Sequence, residues 1–268
     1  KPKVDFCFKE LMEDEEVRNA FLAAVLGIDL GESLEQDFAV PFAPEDKDDK
    51  LGILDDGFLN NKEQIDIEIQ VTASEYWAER TLFYLGKMFT DQLKPGEDYQ
   101  KLEKSIHIGI LNFTMFEDEE YYSCFHFWSD QGRKMYSDKV EIHTLELPKL
   151  AKYEYPETEL LKWLQFINAE TKEEFERAAE KSEYIKKAYE DLNRISADEE
   201  KRLEYEARER AIRDHQTFLR FIKNTGLKEG RREGRRQATV ELLQEMGMEK
   251  NGVCKGTGKS SKLSFQRG

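Results

Sequence analysis

Eight residues, Gln64 to Val71, alternate polar and apolar side chains without a break (Gln-Ile-Asp-Ile-Glu-Ile-Gln-Val). A strand turns successive side chains to opposite faces, so this period of two predicts a β-strand. Ile65, Ile67, Ile69 and Val71 share one face; Asp66, Glu68 and Gln70 share the other. A wet strand face more often carries Thr, Lys and Ser, whereas this one carries two carboxylates and an amide. Just upstream, the apolar run Leu51-Gly52-Ile53-Leu54 ends on another carboxylate, Asp55. Carboxylates on adjacent strands could share a hard divalent cation, which prefers oxygen ligands.

The surrounding pattern reads as an α/β chain. Asp14-Glu15-Glu16 opens an amphipathic helix that Gly27 stops. Strands are predicted near 51–56 and 64–72, joined by a turn holding Gly57, Asn60 and Asn61. Ser74 is placed to cap a helix running to about Leu93, with Trp77, Thr81, Tyr84, Leu85, Met88 and Phe89 at helical spacing before Pro95-Gly96. The continuous apolar run around Ile106, Ile108 and Ile110 predicts a central strand covered on both faces. Two more strands are expected at Tyr121 to Trp128 and Lys139 to Leu147, then an apolar helix over 157–168. From Lys172 to about Arg220 there is neither Pro nor Gly, which predicts one or two long charged helices, a helical hairpin or a coiled coil. The organisation expected is a core over 1–150, a charged helical extension over 151–246 and a disordered tail over 247–268.

Charge narrows the function. The 268 residues carry a formal net charge of −15, which argues against a uniformly basic nucleic-acid coat. The balance is uneven: 225–268 hold 10 Lys/Arg against 5 Asp/Glu, leaving 31 against 51 in 1–224. The candidate local basic patch is Lys87, Lys94, Lys101 and Lys104, around the helix predicted to end near Leu93. No stretch reaches the roughly 18 apolar residues of a membrane helix. Cys7, Cys124 and Cys254 are odd in number and far apart, which suits free thiols in a reducing cytoplasm.

Four segments taken in order carry a resemblance: Leu54-Asp55; Ile65-Asp66-Ile67-Glu68-Ile69-Gln70; Tyr76-Trp77-Ala78-Glu79-Arg80-Thr81-Leu82-Phe83-Tyr84; and Gly96 to Ile108. With Asp5-Phe6-Cys7-Phe8-Lys9 and the Glu-Gly-Arg tract near 229–236, they make roughly residues 1–245 resemble the PD-(D/E)XK nuclease family transposases, the recombination-promoting nucleases of bacteria. The resemblance implies a restriction-endonuclease-like core, a mixed central sheet flanked by helices, with a long helical C-terminal extension. It implies a metal-dependent DNA endonuclease linked to recombination or transposition, using Mg²⁺ or Mn²⁺. Asp55 and Glu68 match the metal-binding acids, and Gln70 stands in the Lys place, where it would orient the attacking water without supplying charge.

Arg80 and Tyr84, at i and i+4 on one helix face, are candidates to touch DNA phosphate or to support the site. Arg231, Arg232, Arg235 and Arg236 are candidate phosphate contacts, offset by Glu229 and Glu233. Homo-oligomerisation through the C-terminal helices is expected. Asp66 reads as an ordinary polar position and His107 as structural. The chain departs from the family at Asp56-Gly57-Phe58-Leu59-Asn60, where a mostly apolar strand is expected. The rival expectation is therefore a catalytically degenerate member acting in DNA binding or assembly.

Overall fold

The computed structural model describes residues 1–28, 57–60 and 63–245. It divides into two compact units, Lys1–Arg210 and Ala211–Gly268. The first unit is built on a five-stranded sheet: β1 (Gly57–Asn60), β2 (Glu63–Gln70), β3 (Lys104–Leu111), β4 (Tyr122–Trp128) and β5 (Met135–Glu146), in the order β1-β2-β3-β5-β4. The three inner strands run parallel, and the two outer strands run antiparallel to their neighbours. Gly57–Asn60 is thus a strand rather than the expected turn, held by backbone pairing from Gly57↔Asp66 to Asn60↔Glu63. The strand expected at 51–56 lies outside the described residues.

The alternation of β2 is realised as read. Ile65, Ile67 and Ile69 are buried beside Ile106, Ile108 and Ile110 of β3. β3 is buried on both faces, as its unbroken apolar run predicts. On the isoleucine side lie α1 (Asp5–Met12) and α2 (Glu15–Leu26), where Tyr122 Oη of β4 donates to the Val25 carbonyl at 3.3 Å. Asp14 caps α2, accepting from the Glu16 and Val17 amides at 3.0 and 3.1 Å, and Gly27 ends it at φ +67°.

The opposite side is covered by α3 (Trp77–Thr90), whose buried stripe is Trp77, Thr81, Leu85 and Met88. Ser74 does not cap it: the N-cap position is Tyr76, with no side-chain cap bond. The connection from β2 through α3 to β3 is the crossover that parallel pairing requires.

Three helices follow: α4 (Glu159–Asn168), α5 (Lys172–Ala179) and α6 (Glu183–Ala197). Phe21 of α2 meets Trp163 of α4 edge-on at 5.8 Å, and Phe166 meets Phe175 of α5 at 5.6 Å. The compact unit therefore runs past the expected boundary at 150, because Leu160, Trp163, Phe166, Ile185 and Leu192 bury their side chains in it. The charged stretch forms three helices rather than one or two. The last, α7 (Glu199–Glu245), spans 47 residues. Described by itself, the second unit is helix up to residue 245, and no described helix is long and apolar enough to cross a membrane.

Candidate active site

The parallel ladder puts Asp66 beside His107, Glu68 beside Gly109 and Gln70 beside Leu111, on the sheet face that α3 covers. Asp66 is 3% exposed and Glu68 is 6% exposed, so neither is a solvated strand-end carboxylate. Asp66 is correspondingly no ordinary polar position. Its Oδ2 accepts from His107 Nδ1 at 2.6 Å, while its Oδ1 and His107 Nε2 are buried and make no hydrogen bond among the described residues.

Gly109 explains how α3 comes so close. A Cβ there would lie 2.8 Å from Trp77 Cζ2 and 3.4 Å from His107 Nε2. The bare backbone lets the indole lie on the ladder beside Glu68. One helical turn later, Arg80 Nη2 reaches Glu68 Oε1 at 2.5 Å. The same guanidinium lies over two rings, 5.9 Å from the Trp77 centroid and 5.8 Å from that of Tyr84. Arg80 and Tyr84 thus sit together, and Arg80 pairs with the strand acid. Gln70 is half-buried, and its Nε2 donates to the Thr72 carbonyl at 2.9 Å.

Arg80 Nε and Thr81 Oγ1 are also buried without a hydrogen-bond partner among the described residues. Four such atoms, from Asp66, His107, Arg80 and Thr81, therefore fall along one seam between β2, β3 and α3. Each buried polar atom left unpaired costs about 1–3 kcal/mol, so such a concentration marks a place built to meet something.

A family model for PD-(D/E)XK nuclease family transposases matches residues 2–221. The chain belongs to this family. No curated protein and no solved structure matches it. Membership accounts for the architecture: a mixed sheet flanked by helices with a long C-terminal helix is a nuclease-type core of this family. On β2, Glu68 and Gln70 share a face.

Of the residues singled out from sequence, Asp55 lies outside the described residues. Arg231, Arg232, Arg235 and Arg236 are exposed on α7. Of the four lysines of the candidate basic patch, Lys101 pairs with Glu97 at 2.9 Å and Lys104 with Glu141.

Sequence reasoning missed a second polar cluster on the same face. Glu146 closes β5 and is buried. It accepts from the Met115 amide at 2.5 Å and the Phe116 amide at 3.2 Å, and pairs with Lys149 Nζ at 2.7 Å. Lys149 is itself buried and also donates to Asp118 and to the Glu120 carbonyl, both at 2.8 Å. This clamp holds the 115–120 loop to the carboxyl end of β5. Its only sequence signal was the i, i+3 spacing of Glu146 and Lys149.

Proposed function

We propose that the chain is a metal-dependent DNA endonuclease linked to recombination or transposition, with Glu68, Gln70 and Asp55 as its working residues. The observation that carries this reading is the burial of Glu68 at mid-sheet with Gln70 two residues on along the same face, in a chain of a family named for an acid-x-Lys element.

The residues present suit a hard divalent cation. Asp66 offers a buried oxygen with no hydrogen-bond partner among the described residues, next to a second buried carboxylate, and hard cations take oxygen donors. Glu68 and Asp55 would hold the ion, with Asp66 beside them; Mg²⁺ is the natural occupant and Mn²⁺ a substitute. Such an ion activates water and stabilises charge on a scissile phosphate. Gln70 orients the attacking water by hydrogen bonding and carries no charge, so among the described residues the cationic side chain at the site is Arg80, paired with Glu68. Arg80 holds Glu68 in place between the Trp77 and Tyr84 rings and is poised to meet phosphate. The arginines of α7 add phosphate contacts, and α7 also carries the surface for self-association: Phe218, Phe221, Ile222 and Leu227 are exposed along it.

The test is nicking of supercoiled plasmid with Mg²⁺. Glu68→Gln and Asp55→Asn should each lower the rate by about 10²-fold or more. Nicking that survives in the double variant would remove the assignment.

One observation favours a non-catalytic reading. The Arg80 guanidinium already neutralises Glu68, as a site without a cation would require. Calorimetric titration with Mg²⁺ and Mn²⁺ separates the two readings, because a degenerate site gives no saturable heat.

A further inference from the structure

On the isoleucine side of the sheet, at its β4–β5 edge, lies a group of side chains that the nuclease reading does not use. We propose that Cys124, Glu141 and His143 form a binding site for a borderline divalent transition metal of the zinc class, separate from the nuclease centre.

The sheet register assembles the group. Cys124 of β4 is paired directly with His143 of β5, and Glu141 precedes His143 by two residues, so all three project from one face. That face is opposite to the one carrying Glu68, because His143 is in register with Ile108 whereas Glu68 is in register with Gly109. One ligand atom from each residue lies within 4.8 Å of the other two. Cys124 Sγ is 3.5 Å from Glu141 Oε1 and 3.9 Å from His143 Nε2, and His143 Nε2 is 3.9 Å from Glu141 Oε1. Tetrahedral zinc, with bonds of about 2.3 Å to sulfur and about 2.0–2.1 Å to nitrogen or oxygen, spaces its ligands about 3.3–3.6 Å apart. The sulfur–oxygen edge already fits, and the other two need to contract by only about half an ångström or less.

The second layer is in place as well. His143 is buried, and its ring stacks on Tyr122 with 5.8 Å between centroids. Tyr122 Oη donates to the Val25 carbonyl and lies 3.0 Å from His143 Nδ1. With its proton committed to that carbonyl, the phenol accepts from Nδ1–H. This choice of tautomer leaves the Nε2 lone pair facing Cys124 and Glu141. Metal-binding histidines are held in this way, through the second ring nitrogen. Lys104 engages Glu141 Oε2, which turns Oε1 toward the group. The His126 ring lies beside the group, with Nε2 2.8 Å from Glu141 Oε1 and Nδ1 3.8 Å from Cys124 Sγ.

A sulfur–nitrogen–oxygen donor set selects zinc-class ions over Mg²⁺ or Ca²⁺. Binding forms a metal–sulfur bond, breaks the Cys124 S–H bond and releases that proton to solvent.

The test is titration of the reduced full-length chain with Co²⁺, a spectroscopic substitute for Zn²⁺, followed by displacement with Zn²⁺. The wild type should develop a thiolate-to-cobalt charge-transfer band that saturates near one equivalent and is abolished by Zn²⁺. Cys124→Ser should lack the band, and His143→Gln should show it only at much higher Co²⁺. Tyr122→Phe should keep the band with about 10-fold weaker affinity, as loss of an outer-shell partner does. Glu68→Gln should leave the titration unchanged, which separates this site from the nuclease centre. A wild type without the band overturns the proposal, and so does a band that persists in Cys124→Ser and therefore arises from Cys7 or Cys254. Loss of the band in Glu68→Gln also overturns it.

Discussion

At the scale of single residues, the site depends on a glycine and an arginine. Gly109 is required by close approach rather than by backbone angle, since a Cβ would meet the Trp77 ring at 2.8 Å. Gly109→Ala must displace a buried indole and is expected to cost about 1–3 kcal/mol in urea unfolding, with weakened nicking as Arg80 loses its stacking partner. Arg80 neutralises a carboxylate that is only 6% exposed. Arg80→Met removes the guanidinium that pairs with this buried carboxylate and is expected to cost about 3 kcal/mol. If Glu68 holds a cation, part of this loss returns on adding Mg²⁺, so Mg²⁺ should raise the melting temperature more in Arg80→Met than in the wild type. An equal shift in both proteins counts against a cation at Glu68. At this scale the sequence was half informative. The alternation placed Asp66, Glu68 and Gln70 together because side-chain direction along a strand is local. It said nothing of His107 against Asp66 or of Trp77 over Gly109, since both contacts depend on which residues of two strands come into register.

Among the elements, α2 and the β5 terminus carry separable contributions. Asp14 caps α2. Burial pushes its carboxyl upward, but hydrogen bonds from Lys187 and from the Val17 and Glu16 amides outweigh burial and hold it below the ordinary carboxylate value. A carboxylate depressed on folding contributes stability above its unfolded pKa and loses it as pH falls through the folded value. Asp14→Ala should therefore cost about 1 kcal/mol near neutrality, and the gap to wild type should close as the medium is acidified below about pH 4. A gap that stays constant into acid would exclude the charged cap. At the other end of the sheet, Lys149 ties Glu146 to Asp118 and to the Glu120 carbonyl. Lys149→Met leaves a buried Glu146 without its cation and is expected to cost about 3 kcal/mol, with faster amide exchange in the 115–120 loop. Element types were mostly legible, because helical and strand periods are properties of short stretches. The misses came where tertiary pairing overrode local signals. Gly57–Asn60 carries turn residues yet pairs as an edge strand with β2, and Ser74 lies upstream of a helix whose N-cap is Tyr76.

At the scale of the whole molecule, the chain divides into two units. The arginines at 231, 232, 235 and 236 lie in the second unit, the sheet in the first. If all four contact phosphate, replacing them with Ala should flatten the slope of log affinity against log salt by up to about 3–4 while leaving the first unit's unfolding unchanged. An unchanged slope would assign α7 to self-association instead, to be read from sedimentation mass. The excess of acid in residues 1–224 is partly absorbed inside the first unit, where Glu68, Glu141 and Glu146 are paired with Arg80, Lys104 and Lys149. By itself the sequence determined the α/β class, the central strand, the paired carboxylate face and, through its motif order, the nuclease family. Each of these is written in local periodicity or in the order of short segments. Only the tertiary structure decided that residues 151–210 belong to the compact unit, that Arg80 closes on Glu68, and that Cys124, Glu141 and His143 meet on the far face. Those outcomes depend on strand register and helix packing, which join residues far apart in the chain.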